Sequence, residues 1–435
     1  MKIAILGYAL EGEASLKYFS KPSNEITVCD KDKDKQIPAG VPSRLGPKYL
    51  TNLNEFDLLV RTAGMNPNEI ILANPEAPNI LDKVTTSINE FFKESAGKKI
   101  IAVTGTKGKG TTSTLIAKML ETSEQRVHLG GNIGTPPLTM LKEPTANSDW
   151  IVLELSSFQL IDIKYSPHIA VCMMVVPEHL DWHADVDEYV TAKSQLFRWQ
   201  KNSDIAIYYS DNPSSKKVVE VSPGQKIPFM SPPGAYVRDN QIVIDNQSIL
   251  NVSEIKLLGK HNWQNVCGAI TAFWQINENV EAIRSVLTSF TGLEHRLQLI
   301  REFTGVKYYD DSYGTTPETA AVAVEAIQAP KVMILGGSEK NASFDQLAKT
   351  VAQDNVKHVV LIGQTADKIK QALANQGFDR VSDGGQAIEQ IVNEAKKHAE
   401  SGDAILLSPG CASFGLFKNY KDRGEQFQKA VADLV

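Results

Sequence analysis

Gly105, Gly108 and Gly110, interleaved with Thr106, Lys107 and Lys109, are the residues whose types and spacing point most directly to chemistry. Before them, Ile100 to Val103 is an apolar, mostly β-branched run that reads as a buried parallel strand. After them come Thr111 and Thr112, then Leu115, Ile116, Met119 and Leu120 at helical spacing. A strand, a glycine turn, a lysine and a helix start together make a phosphate cradle. Glycines let backbone N–H groups converge on oxyanions, the helix N-terminus adds positive potential, and Lys109 reaches the outer phosphates. The loop is shorter than the usual G-x-x-x-x-G-K-S/T. Gly110 stands where a cation-binding hydroxyl is expected, so Thr111 or Thr112 has to supply it. The alternative is a plain strand–helix turn with solvated lysines; a nucleotide site accounts for more of the pattern.

Other candidates lie at the ends of further predicted strands. Trp150 to Leu155 delivers Glu154 into Leu-Ser-Ser-Phe158-Gln159-Leu160, and His168 to Val176 leads into Pro177-Glu-His179-Leu-Asp181-Trp-His183. A helix then carries Tyr189 to Phe197, including Lys193. In parallel α/β sheets the carboxyl ends of strands face the ligand crevice. A carboxylate and an imidazole placed there suit a divalent cation beside phosphates. Taken singly, Glu154 reads equally well as a satisfied edge carboxylate and His179 as a surface histidine. Gly259-Lys-His261-Asn262-Trp-Gln-Asn265 opens another helix. Asn262 and Asn265 share one face of it and can present amides to a purine edge, although helix capping alone would explain Asn262.

The elements that must position these residues follow an alternating strand–helix pattern. Lys2 to Gly7, Glu25 to Cys29 and Asp57 to Val60 are strands of a small doubly wound domain. Gly7 and Gly12 give a partial dinucleotide fingerprint, with Asp30 closing the second strand. NAD or another nucleotide moiety such as a UDP group fits that turn equally well. Ala96 to Lys99 reads as a linker. Pro223 to Ser253 reads as short β segments, turning at Pro232-Pro-Gly, Asp239-Asn and Asp245-Asn. Beyond Gly292-Leu-Glu-His295-Arg296 the alternation restarts, with strands at Val306 to Tyr309, Lys331 to Leu335, His358 to Ile362 and Ala404 to Leu407. The expected architecture is α/β in three domains, a Rossmann-like 1–94, a P-loop-type 95–294 and a Rossmann-like 295–435. A formal net charge of −6 disfavours a general nucleic-acid binder. Cys29, Cys172, Cys267 and Cys411 are far apart, which disfavours a zinc site or disulfide framework and fits a cytoplasmic protein. The longest apolar run, Ile169 to Val176, is too short to span a bilayer.

Taken together these stretches resemble the Mur ligases, the ATP-dependent amino-acid ligases of peptidoglycan precursor synthesis. The resemblance runs in family order through TGTKGKGTT (104–112), GNIG (131–134), ELSSFQL (154–160), EHLD (178–181), GKHNWQN (259–265), EHR (294–296), DDS (310–312), GGSEK (336–340) and SPGCASFGLFKNYKDRGEQF (408–427). ELSSFQL and the last block point to the D-glutamate-adding branch. The resemblance implies ligation of D-glutamate to UDP-N-acetylmuramoyl-L-alanine through an acyl phosphate, with ATP and two Mg²⁺ ions, by a monomer. By resemblance, the phosphate loop Gly105, Thr106, Lys107, Gly108, Lys109, Gly110, Thr111 and Thr112 binds ATP, joined by Asn262, Asn265, His295, Arg296 and Asp311. Thr111, Glu154, His179 and a carbamylated Lys193 look like metal ligands. Leu10, Glu11 and Asp30 match positions at the uridine diphosphate, and Asn132 and His179 match positions at the muramoyl-alanine end. Lys340, Ser413 and Tyr420 match the D-glutamate pocket. Two residues depart from the family pattern, Gly110 and also Tyr313, which stands where a lysine is usual. A sibling amide ligase of the Mur or folylpolyglutamate type, or a nucleotide-binding protein without turnover, are the alternatives.

Overall fold

A computed structural model describes residues 1–132, 135–141, 149–338 and 342–434. The chain divides into two compact units, Met1–Glu254 with Trp263–Val286, and Ile255–Asn262 with Leu287–Val435. The first unit holds two parallel sheets. One has the order β3-β2-β1-β4-β5, from β1 (Lys2–Leu6), β2 (Glu25–Asp30), β3 (Ser43–Leu45), β4 (Leu58–Arg61) and β5 (Val84–Thr86). The order reverses between β1 and β4, so the crevice lies beyond the ends of those two strands. Gly7 leaves β1 with φ +96°. Gly12 packs so closely that a Cβ would stand 2.2 Å from the Gly7 carbonyl oxygen, which explains both glycines of the turn.

The second sheet has the order β11-β10-β9-β6-β8-β7, from β6 (Lys99–Thr104), β7 (Val127–Gly131), β8 (Trp150–Glu154), β9 (Ile169–Cys172), β10 (Ile205–Tyr209) and β11 (Gln225–Phe229). Its strands are covered on both faces, which is why they read as continuous apolar runs; Ile101, Ala102, Val103, Ala170 and Val171 are fully buried. Because β8 and β9 flank β6, the chain leaving all three emerges side by side. Val103 pairs with Glu154, and Thr104 with Cys172.

Three antiparallel strands, β12 (Tyr236–Arg238), β13 (Gln241–Ile244) and β14 (Gln247–Asn251), turn at Asp239-Asn240 and Asp245-Asn246. All four turn residues have φ between +48° and +58°, as tight hairpin turns require. The second unit carries a sheet ordered β15-β16-β20-β17-β18-β19, built from β15 (Gln298–Phe303), β16 (Val306–Asp310), β17 (Lys331–Gly336), β18 (Val356–Ile362), β19 (Val381–Asp383) and β20 (Ala404–Leu407). β15 is antiparallel to β16 and the rest are parallel.

One local expectation differs from the structure. The strand expected from His168 to Val176 leaves the sheet after Cys172, because the next residues pair with the phosphate loop instead. The Met174 carbonyl accepts from Thr106 N–H at 2.7 Å, and Val176 N–H donates to the Thr106 hydroxyl at 3.0 Å. Gly130 and Gly131 complete edge strand β7. All four cysteines are buried free thiols. Among the described residues no helix is long and apolar enough to cross a membrane.

Candidate functional site

The phosphate loop connects β6 to the helix Lys109–Thr122. Gly105 has φ +142° and Gly108 φ +89°, conformations that favour glycine. At Gly108 a Cβ would also stand 2.1 Å from Asn265 Oδ1. Thr106 anchors the loop from beneath, its hydroxyl lying 2.9 Å from the Val176 carbonyl and 2.7 Å from the Tyr189 hydroxyl. Thr111 and Thr112 are buried in the first turn of the helix, and the Thr112 hydroxyl meets the Asn265 carbonyl at 3.4 Å. Asn265 therefore comes to the loop. Asn262 belongs to the second unit, where its amide donates to the Leu258 carbonyl at 2.6 Å.

Two lysines converge on one backbone oxygen. Lys109 Nζ donates to the Gly105 carbonyl at 3.1 Å and the Thr106 carbonyl at 3.0 Å; Lys193 Nζ donates to the same Gly105 carbonyl at 2.8 Å. Lys193 projects from the helix Val186–Arg198 with only 1% of its surface exposed. Burial, reinforced by the Lys109 charge, holds its amine well below the usual lysine range. Glu154 is buried at the end of β8, and its Oε1 accepts from Asn132 Nδ2 at 2.8 Å. His179 takes φ +59° in the loop after β9 and packs on Phe158, ring centroids 4.8 Å apart. Burial is the larger cause lowering the His179 pKa; Lys109 and Lys193 add to it, while Glu178 and Asp181 oppose it. Among the described residues no group of three or more His, Cys, Asp or Glu side chains could hold a metal ion unaided. A carboxylate, an imidazole and a hydroxyl fit a hard cation whose remaining oxygens come from phosphate, water or a modified lysine.

The first sheet meets this assembly through its own strand ends. Glu11 Oε2 accepts from Ala63 N–H and Oε1 from Gln159 Nε2, both at 2.9 Å. Asp30 is buried and accepts from Tyr8 N–H at 2.7 Å, which fixes the glycine turn after β1. Leu10 is 69% exposed beside that turn. Arg61, at the end of β4, is fully buried; it grips Asp162 through Nε and Nη2 at 2.7 Å each and donates to the Thr62, Met65 and Phe158 carbonyls.

In the second unit, residues beyond β16 and β20 converge. His295 Nδ1 pairs with Asp310 Oδ2 at 2.7 Å, and that hydrogen bond is the chief cause raising the His295 pKa. Asp311 accepts from the Ser408 hydroxyl at 2.6 Å and from Leu297 N–H at 3.1 Å; burial nevertheless pushes its carboxyl up to about 7. Arg296 lies over the Tyr313 ring, and Tyr420 opens the helix Tyr420–Ala432. Ser413 is buried nearby in sequence, between Cys411 and that helix. A cavity of about 290 Å³ lies among Thr315, Ser338, Phe344 and Gly410. Lys340 lies outside the described residues.

Residues 103–273 match the Mur ligase middle domain, and residues 295–411 match the Mur ligase glutamate ligase domain. Over its full length the chain is 34% identical to a UDP-N-acetylmuramoylalanine–D-glutamate ligase of Clostridium tetani, covering 97% of that protein. It is 36% identical to the Acetivibrio thermocellus protein of the same name, covering 96% of it. The chain belongs to the Mur ligase family. Solved Mur ligases share its fold. UDP-N-acetylmuramate–alanine ligase of Thermotoga maritima superposes with a TM-score of 0.63 at 16% identity, covering 99% of both chains. MurF of Acinetobacter baumannii gives 0.63 at 17%, covering 100% of this chain and 93% of that one.

Within this Mur ligase the structure brings Lys109, Lys193, Glu154, Asn132 and Asn265 to the loops around the phosphate cradle. It gathers His295, Arg296, Asp311 and Tyr420 in the second unit. The sequence reading missed Arg61, Gln159, Tyr189, Ser408 and Arg423. Arg423 is fully buried and ties the Ser312 hydroxyl and carbonyl to the Cys411 carbonyl. Only Arg61 left a signal of its own, as a charge closing the apolar run Leu58-Leu59-Val60.

Proposed function

We propose that this Mur ligase joins D-glutamate to UDP-N-acetylmuramoyl-L-alanine, with ATP cleaved to ADP and phosphate. The reading is carried by full-length similarity to ligases of that name, together with a glycine cradle on which Lys109 and Lys193 converge. A carboxylate is a poor electrophile. Its oxygen therefore first attacks the γ-phosphorus while the bond to the bridging oxygen breaks, which releases ADP and leaves an acyl phosphate. The amine of D-glutamate then attacks the acyl carbon, the bond to the phosphate oxygen breaks, and the nitrogen loses its proton. The loop N–H groups and the helix start hold the triphosphate, and Lys109 neutralises charge on the transferring phosphoryl group. The roles of Asn265, Asn262, His295, Arg296 and Asp311 toward ATP, of Leu10, Glu11, Asp30 and Asn132 toward the UDP-sugar substrate, and of Lys340, Ser413 and Tyr420 toward D-glutamate are part of the proposal.

Glu154, His179 and a threonine hydroxyl, Thr111 in this reading, would hold Mg²⁺. When bound, that ion supplies charge neutralisation at the phosphates. Lys193 is buried with its ammonium form disfavoured, and a neutral amine is the form that adds CO₂. As a carbamate it would present oxygen anions where an ammonium would repel the cation. A second Mg²⁺ ion, a monomeric state and a cytoplasmic site complete the reading.

The deciding experiment is phosphate release with ATP, UDP-N-acetylmuramoyl-L-alanine and a panel of amino acids. Stimulation by D-glutamate is the expected result. Stimulation by L-lysine, L-glutamate or meso-diaminopimelate instead would transfer the chain to a sibling activity.

A further inference from the structure

Tyr313 stands between two side chains to which the ligase reading gives different substrates. The Arg296 guanidinium lies 5.6 Å from the centroid of its ring, and the Tyr420 ring meets it edge-on at 5.2 Å and 88°. The backbones that carry the three residues are fastened independently of the ring. Tyr313 N–H donates to the His295 carbonyl at 2.9 Å, and His295 is pinned by Asp310. The Ser312 hydroxyl reaches the Tyr420 carbonyl at 2.7 Å, and buried Arg423 holds Ser312 in turn. The loops are thus placed by buried polar bonds, whereas Tyr313 is 42% exposed. A ring in that position adds little to the core.

What the ring does provide is orientation. A guanidinium stacked on an aromatic face keeps its plane fixed while its N–H edge points outward to acceptors. An edge-to-face partner fixes the plane of Tyr420 in the same way. We propose that Tyr313 is a positioning residue for both small substrates, aligning Arg296 for ATP and Tyr420 for D-glutamate. This rests on the proposed ligase function. It also gives the departure from the usual lysine a physical sense. In this chain the cation at that corner is Arg296, carried on an aromatic plate, and an ammonium at position 313 would face it with like charge.

The test compares wild type, Tyr313→Phe and Tyr313→Ala in the phosphate-release assay, varying ATP, D-glutamate and the UDP-sugar substrate in turn and recording thermal unfolding of each protein. Tyr313→Phe keeps the ring and should stay within twofold of wild type in every constant. Tyr313→Ala should raise KM for ATP and for D-glutamate by about fivefold each, the size of one lost ring contact. KM for the UDP-sugar and the unfolding temperature should hold. Unchanged ATP and D-glutamate constants in Tyr313→Ala, an equal rise in all three, or a Phe variant as impaired as Ala would each overturn the proposal. A wild-type protein without D-glutamate-dependent turnover would overturn the ligase reading itself, a result distinguishable from an active wild type beside an indifferent Ala variant.

Discussion

Arg61→Met should destabilise the first unit by about 3 kcal/mol, and the structure shows why. The arginine is fully buried and makes two charge-assisted bonds to Asp162 at 2.7 Å, plus three to backbone carbonyls at 3.1, 2.7 and 2.9 Å. Removing one partner of a buried ion pair typically costs about 3–5 kcal/mol, because the other charge and its neighbours are left without compensation. Asp162 retains 23% side-chain exposure, so water can partly resolvate its carboxylate; that places the loss near the lower end of the range. Methionine conserves much of the volume, so little of the loss arises from a cavity. Urea unfolding of wild type and variant, analysed at equal slope, measures the difference. Asp162→Leu added to Arg61→Met should restore about 1–2 kcal/mol, since it removes the stranded carboxylate. Arg61 also holds the Phe158 carbonyl, in the segment that follows Glu154, so kcat/KM should fall with stability. A loss below about 1 kcal/mol would refute the idea that this arginine locks the end of β4 to the loop beyond β8.

Lys109→Ala should lower kcat by at least about a hundredfold with folding intact, the scale expected when a charge on a transferring phosphoryl group is lost; near-normal turnover would remove the phosphate-loop assignment. Lys193 should carry a carbamate in the substrate-bound enzyme, visible as extra density on Nζ, and an unmodified amine there would reject the modification. Asp311→Asn should change stability in a pH-dependent way. Folding raises the Asp311 pKa from 3.8 to about 7, so between those values the folded state keeps a proton that the unfolded chain releases. Wild-type stability from this group is therefore greatest below pH 4 and declines as pH rises to about 7, with a limiting slope of about 1.4 kcal/mol per pH unit. Denaturant unfolding at pH 5, 6, 7 and 8 should show Asn gaining on Asp up to pH 7 and levelling beyond it; a constant difference across that range would refute the shift.

What could be read directly from the chain was local geometry tied to residue type. Gly105 and Gly108 take conformations that favour glycine, Asp239-Asn240 and Asp245-Asn246 form the hairpin turns their composition suggests, and β6 and β8 are apolar because both faces are covered. Of the strands left unread, β3, β5 and β19 span three residues each, too few to establish a period of two, whereas β7, β10 and β15 run to five or six residues. The central site was legible only in part, for a different reason. Glu154 and His179 announce themselves as polar residues after apolar strands, and strand order sets the ends of β8 and β9 on either side of β6. The shared grip of Lys109 and Lys193 on the Gly105 carbonyl depends on how a distant helix packs, and no periodicity records that. The same holds for Tyr313, whose partners come from segments far apart in sequence. Sequence pattern specifies which side of an element is buried and where a turn must fall. The contacts that set the charge state of Lys193 or the orientation of Arg296 arise one level higher, when elements already formed are pressed together. In this Mur ligase those are the contacts on which the roles proposed for the lysine pair and for Tyr313 turn.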